Sequence, residues 1–307
     1  MALEDVTRSS MNAANGVGKL ESLKVKNPEL SSLSNPLVLI PTYNNGPYLE
    51  NCLQQFQTLG FNNFLVLDGG SSDRGTSAFL KTLSDSDRLI NLLGNPGPRF
   101  FFENHDFYRA LPEIFVVTDP DLEFNSDLPE DFITTLFNLS LELKSGKVGF
   151  ALNIDGDLKR DEFFFGKRWT TIKEWESQHW KDRVANSLDL EVYRAPIDTT
   201  FALYNKRFLD KKSFFEGYRV AGSFTAKHLP WHVSDDLVHK LPKSIDRGKF
   251  STWSAGDTPD REREAFRALV DKINAMESSV SWRITAPLRA LGKIIFGAKR
   301  FFPKKLD

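Results

Sequence analysis

The stretch Ile114-Phe115-Val116-Val117-Thr118-Asp119-Pro120-Asp121 constrains the fold of this chain more than any other. Apolar, mostly β-branched residues in an unbroken run suit a strand buried on both faces, as in a sheet covered by helices. Proline fixes φ and donates no hydrogen bond, so the strand is expected to stop there and leave two carboxylates projecting from its end. Ligands of open α/β sheets bind at strand ends, and two acids held together at such an edge suit a bound cation. Read alone, the triplet is equally an ordinary solvated turn, because Asp and Pro are turn residues.

Two further runs repeat the pattern. Pro36-Leu37-Val38-Leu39-Ile40 gives way to the polar loop Pro41-Thr42-Tyr43-Asn44-Asn45-Gly46, and Phe64-Leu65-Val66-Leu67 ends at Asp68-Gly69-Gly70-Ser71-Ser72-Asp73. Between them, Leu49, Cys52, Leu53 and Phe56 fall at helical spacing over Tyr48 to Leu59, with Gly60 as the stop. A helix from about 76 to 83, an apolar patch at 89–93, the loop Asn95-Pro96-Gly97-Pro98-Arg99 and a helix over 100–111 lead into the opening strand. This alternation predicts an α/β fold with a parallel sheet, covered faces and right-handed crossovers. Pro129 to Leu143 is expected to be an amphipathic helix and Val148 to Ile154 a strand. From there to about residue 245 the pattern is less regular and rich in aromatics, which points to antiparallel strands mixed with loops.

The chain of 307 residues can bury one large core or two modest ones. A formal net charge of -1 gives no reason to expect nucleic acid as a partner. Cys52 is the only cysteine, which excludes a disulfide framework and a thiolate zinc site and suits a reducing cytoplasm. The start of the chain carries Glu4 and Asp5 and lacks the apolar core of a signal peptide, and no apolar run approaches the roughly 20 residues that span a bilayer. Most of the 26 phenylalanines are expected in the core, with a minority lining a groove. The boundaries read from the sequence are a flexible or weakly docked leader over 1–34, a regular α/β half over 35–125, a less regular half over 126–255, and a charged helical segment over 256–307 with Ala265, Leu269 and Ile273 at helical spacing.

Taken together, Pro41-Thr42-Tyr43-Asn44, Asp68-Gly69-Gly70-Ser71-Ser72-Asp73 and Asp119-Pro120-Asp121 resemble the nucleotide-sugar-binding half of the GT-A glycosyltransferases, especially the family-2-like members. The resemblance covers roughly residues 36 to 125 with all three motifs in order. It implies a Rossmann-like nucleotide-binding sheet and a transferase that takes a sugar from a nucleotide diphosphate with Mn²⁺ or Mg²⁺ as cofactor. Pro41, Thr42 and Tyr43 match the base-side loop and Asp68 the acid that hydrogen-bonds the nucleobase. Asp121 matches the direct metal ligand. Asp119 matches a group facing the ribose or metal-bound water, and both acids are carried as metal candidates. Arg99 stands where the family often has a basic residue near the nucleotide; a solvated surface arginine is the alternative. The sequence departs from the family in having Gly69-Gly70 after a single acid and in its long leader.

The second half must supply the acceptor site and a base. Asp198, just before the strand-like run Thr199 to Tyr204, resembles the acid that faces the acceptor, and as general base it implies inversion; a cap or turn acid is the competing reading. Asp235 is a further candidate for that catalytic role. The same resemblance implies an additional metal or phosphate contact from a downstream histidine, for which His228 is the candidate and His232 the second, while Trp231 suits stacking on a sugar ring of the acceptor; a structural histidine and a core tryptophan are the competing readings. Asp155 and Asp157 form a second, weaker acidic pair in a turn setting. The tail over 281–305 alternates Arg and Lys with Trp, Ile, Leu and Phe, which suits a helix in an anionic membrane interface or one packed on protein. Its Ser-Trp-Arg-Ile-Thr-Ala-Pro-Leu-Arg string resembles tails of bacterial envelope-polysaccharide glycosyltransferases, which implies a lipid-linked saccharide acceptor, surface-polysaccharide biosynthesis and a peripheral place at the cytoplasmic face. A sugar-1-phosphate nucleotidyltransferase and a non-catalytic nucleotide-sugar-binding subunit are the rival functions.

Overall fold

Alternate residues along the central strands part into two apolar layers, as the period of two requires. Val38 and Ile40, Phe64 and Val66, and Val116 and Leu203 enter one layer; Leu37 and Leu39, Leu65 and Leu67, and Phe115, Val117 and Tyr204 enter the other. The computed structural model describes residues 11, 16–20, 33–84, 86–160, 162–165, 168–242, 245, 246 and 260–285. It divides into two compact units, 1–256 and 257–307.

The first unit is a mixed α/β structure on a sheet that has nine strands among the described residues. The first half of the chain supplies β1 (Val38–Thr42), α1 (Gly46–Thr58), β2 (Phe64–Asp68), α2 (Arg74–Ser84), β3 (Leu89–Asn91), α3 (Phe100–Glu103), α4 (His105–Ala110) and β4 (Ile114–Val117). After β5 (Leu122–Phe124), α5 (Phe132–Glu142) and β6 (Lys147–Phe150) come a hairpin of β7 (Phe163–Phe165) and β8 (Arg168–Thr170), then α6 (Ile172–Ser177). β9 (Arg183–Val184), β10 (Val192–Arg194), β11 (Ala202–Asn205), β12 (Tyr218–Val220) and β13 (Ala226–His228) complete the unit. The order across the sheet is β3-β2-β1-β4-β11-β6-β12-β10-β9. β3, β2, β1 and β4 pair in parallel, as expected of the first half. The second half contributes the mixed part: β11 runs against both β4 and β6, and β10 against both β12 and β9. β5 and β13 leave the main sheet and pair with each other.

Local chemistry accounts for the departures from the expected elements. The single helix expected over 100–111 is two, broken at Asn104, whose extended backbone ends α3 and whose side chain accepts from the Phe107 amide to cap α4. The acids at 119 and 121 do not project into an open loop, because the chain re-enters a strand at Leu122. Gln55 of α1 holds that strand from both sides, donating Nε2 to the Leu122 carbonyl at 2.9 Å and accepting from the Phe124 amide at 2.8 Å. Within the 1–34 leader, Leu20 is buried among Ile90, Phe107 and their neighbours.

Phe150 and Phe201 stack at 4.3 Å, with Phe124, Phe132 and Phe224 around them. Gly149 is what lets β6 and β11 close on this stack, since a Cβ there would lie 2.3 Å from the Phe201 carbonyl oxygen. The second unit holds α7 (Asp260–Ser278) and α8 (Val280–Ile284), the latter capped by Ser279, whose Oγ accepts from the Trp282 amide. Leu269, Ile273, Met276, Val280 and Ile284 are exposed. Of the basic tail expected at a membrane, 286–305 lie outside the described residues. Among the described residues no helix is long and apolar enough to cross a membrane.

Candidate functional site

Register brings the three polar loops to one edge. Thr42 pairs with Asp68 and Asp68 with Asn91, so β1, β2 and β3 end in a row. Val117 lies beside Leu39, which puts Asp119 two residues on at the level of Pro41. Asn44 fastens the first two loops: its Oδ1 accepts from the Ser72 and Asp73 amides at 2.8 and 3.0 Å, and its own amide donates to Ser71 Oγ at 2.8 Å. It does so from the left-handed region, at φ 51°, which asparagine tolerates better than most residues. Tyr43 Oη and Asn44 Nδ2 in turn donate to the Asp246 carboxylate and carbonyl at 2.7 and 2.8 Å.

Below this edge opens a cavity of about 530 Å³. Its walls include Pro41, Thr42, Tyr43, Arg99, Asp119, Asp121, Asp198, His228 and Trp231, so nine side chains singled out from the sequence come together around one space. Asp68 stands behind the wall, which Gly69 and Asn95 form in its place. The Asp68 carboxylate accepts from Ser71 Oγ at 2.6 Å and from the Ser71 amide at 3.1 Å; burial raises its pKa and these bonds oppose the rise. Asp235 is also outside the cavity wall. It accepts from the buried Tyr48 hydroxyl and from the Leu237 amide, which ties the 235–237 turn to α1. His232 points away as well, with Nδ1 2.8 Å from Asp157 Oδ1. Asp157, which also accepts from the Ser234 amide at 2.7 Å and is held well below the usual carboxylate range by Ser234 and His232, therefore closes a turn beside the exposed Asp155.

Pairing of β5 with β13 sets His228 opposite Leu122 and its Nε2 3.3 Å from Asp121 Oδ2. Burial disfavours the imidazolium, yet the Asp121 carboxylate, helped by Asp119 and Glu176, holds its pKa above the ordinary histidine value. Asp119 is pushed from the ordinary 3.8 up to about 7, first by burial and then by the negative charge of Asp121, while Thr199 pulls in the other direction. Two carboxylates this close keep each other from ionising unless a positive charge joins them. Among the described residues no group of three His, Cys, Asp or Glu side chains is placed to hold a metal ion. An oxygen-rich, incomplete set suits Mg²⁺ or Mn²⁺, which take one or two carboxylates and share the remaining positions with substrate phosphates and water. Asp121 and Asp119 supply two carboxylates of that pattern, with His228 paired to Asp121 beside them.

The cavity is also lined by groups that sequence reasoning left without a role. Glu176 of α6 and Arg219 of β12 form a buried ion pair, and Arg219 Nε also donates to the Pro196 carbonyl at 2.8 Å. Burial raises the Glu176 pKa against the pull of Arg219, and burial beside Arg219 lowers His179 to about 4. Trp175 and Trp231 line the same cavity, and Trp231 is buried with its ring packed on His228 at 4.3 Å. Asp198 faces solvent through the cavity. The protein on its inner side raises its pKa, while Arg99 and Lys147 lower it. The Arg99 guanidinium lies 5.4 Å from the Phe215 ring and its Nε 3.3 Å from Glu103. The Thr171–Glu174 capping box that starts α6 is a local pattern that sequence reasoning passed over, while the partnership of Glu176 with Arg219, across 43 residues, leaves no local pattern.

No protein-family model matches this chain, and no curated protein matches it.

Proposed function

We propose that this protein is a GT-A-type glycosyltransferase that moves a sugar from a nucleotide diphosphate to a saccharide acceptor with the help of Mn²⁺ or Mg²⁺. The observation that carries the reading is the meeting of Asp119, Asp121 and His228 at the end of β4, in a cavity whose other rim is the Thr42–Tyr43 loop. Asp121 and His228 would hold the cation with Asp119 beside them, and the cation when bound neutralises the leaving diphosphate. Thr42 and Tyr43 face the nucleoside side, while Asp68 shapes the turn that sets Gly69 on the wall. Arg99 offers a positive charge from the adjoining loop. Asp198 takes the proton of the acceptor hydroxyl as general base, a role its raised pKa favours, and attack opposite the leaving group inverts the anomeric centre. Trp231 and Trp175 supply flat apolar faces for a pyranose. A lipid-linked acceptor, surface-polysaccharide synthesis and attachment at the cytoplasmic face of a membrane through 281–305 extend the proposal; the tail's sequence supports them.

Transfer from a panel of nucleotide sugars, assayed with Mn²⁺, tests the reading through Asp121→Ala. A loss of at least a hundredfold in kcat/KM is expected. Wild-type turnover in that variant would refute the metal site, and metal-dependent donor binding without transfer to any acceptor would favour the non-catalytic binding subunit.

A further inference from the structure

The segment from Ala195 to Asp198 is gripped along both edges. Three consecutive carbonyls are each taken by a buried side chain from a different strand: Pro196 by Arg219 Nε of β12 at 2.8 Å, Ile197 by Lys147 Nζ of β6 at 2.9 Å, and Asp198 by the Tyr204 hydroxyl of β11 at 2.9 Å. On the other edge the Ala195 and Ile197 amides donate to the Gly217 and Phe215 carbonyls at 3.1 and 2.8 Å. Connecting segments ordinarily leave much of their hydrogen-bonding capacity to water; this one leaves little.

Lys147 is the most informative of the three. It is wholly buried, and the one acid that favours its charged form is Asp198, with which it shares no direct ion pair among the described residues. Its ammonium instead sits 3.3 Å from the Phe214 ring centre and 5.0 Å from that of Tyr204, with the Ile197 carbonyl as its hydrogen-bond acceptor. Aromatic faces and one carbonyl compensate only part of the loss of hydration. A leucine or methionine would fill the same space with no such penalty, so a structural role in the core does not account for a lysine. What the lysine supplies is a grip on Ile197, the residue before Asp198, together with a positive charge that acts on the Asp198 carboxylate.

We infer that Lys147 and Tyr204, with Arg219 beside them, are positioning residues that fix the 195–200 segment so that Asp198 faces the reacting centre and Thr199 meets Asp119. The assignment of Asp198 rests on the transferase reading; the grip on the segment does not. The geometry also explains why three side chains of this kind converge here: a general base must be held within a fraction of an ångström of its proton, and a loop held by backbone contacts to one strand alone would not achieve that.

The test uses the full-length chain and two variants. Lys147→Met keeps the volume and removes the ammonium; Tyr204→Phe removes one hydroxyl and keeps the ring. Amide hydrogen exchange read by mass spectrometry is expected to rise at least tenfold in the peptide covering 195–200 of Lys147→Met, and by a smaller factor in Tyr204→Phe, with the peptides of β1, β2 and β4 unchanged. In the transfer assay, kcat is expected to fall at least tenfold in Lys147→Met with KM for the nucleotide sugar within twofold of wild type. Unchanged exchange at 195–200 in both variants overturns the inference, as does a rise spread evenly over the chain. If Lys147→Met does not fold, Tyr204→Phe decides by the same readings. A local rise in exchange in a protein whose wild type transfers no sugar would uphold the grip and refute the transferase reading, so the two fail separately.

Discussion

Asp119→Asn should make the metal-free protein more stable at pH 8, although it damages the site. The carboxyl of Asp119 is raised from 3.8 to about 7 by burial and by Asp121. Between those values the folded chain keeps a proton that the unfolded chain has released. Stability therefore falls as pH rises from about 4 to about 7, and the penalty is complete above 7. A shift of about 3 units at roughly 1.4 kcal/mol each gives an upper figure of about 4 kcal/mol. Asp119 is partly open to the cavity, and screening by water there reduces the expected gain to about 2 kcal/mol. The assay is urea denaturation of wild type and variant with a chelator present, at intervals from pH 4 to 8. The variant should gain on the wild type steadily with pH and be about 2 kcal/mol ahead at pH 8, the two converging near pH 4. A difference that does not change with pH, or a wild type that is the more stable at pH 8, would refute the reasoning that burial and the charge of Asp121 hold a proton on Asp119. Active sites commonly hold such unfavourable arrangements because the ligand relieves them.

Other substitutions probe the walls of the site and the sheet beneath it. Glu176→Gln leaves the Arg219 guanidinium buried without its counter-charge, and a loss of about 3–5 kcal/mol in denaturation experiments is expected. Gly149→Ala forces a Cβ against the Phe201 carbonyl oxygen and Ala202; both are backbone-anchored, so a loss of about 3 kcal/mol or more should appear as a lowered urea midpoint. Burial lowers the Lys147 amine to about 7, so the unfolded chain binds the extra proton between pH 7 and 10.5. Wild type should therefore gain stability relative to Lys147→Met as pH rises through that window, read by the same denaturation.

How far the sequence could be read depended on whether a residue's role was local. β1, β2 and β4 were visible because strands buried on both faces write unbroken apolar runs, and their loops were visible because Pro, Gly, Asn and Asp mark chain reversals. The shared edge of Thr42, Asp68 and Asp119 followed from those runs and the parallel order. The second half was harder. β9, β10 and β12 are two or three residues long, too short for a period of two to declare itself, and β5 and β13 find each other across about a hundred residues. Lys147 lies one residue before the run expected as a strand, and a lysine there carries no mark of burial. The apolar Val148 and Phe150 beside it were the available hint that its environment was dry. Asp235 and His232 had the right residue types in a promising stretch, yet each is taken up by a partner that spacing cannot reveal, Tyr48 for one and Asp157 for the other. Glu176 and Arg219 carried no motif at all, because an ion pair between separate elements leaves no trace in either.

The central claim is that the end of β4 binds a divalent cation and a nucleoside diphosphate together. The most direct test is a thermal-shift titration of the full chain with nucleoside diphosphates and nucleotide sugars, each with and without Mn²⁺. The account predicts a rise in Tm of several degrees that needs both the metal and one particular nucleotide and that disappears in Asp121→Ala. Equal stabilisation by the nucleotide without metal, or none from any nucleotide with it, would contradict the account.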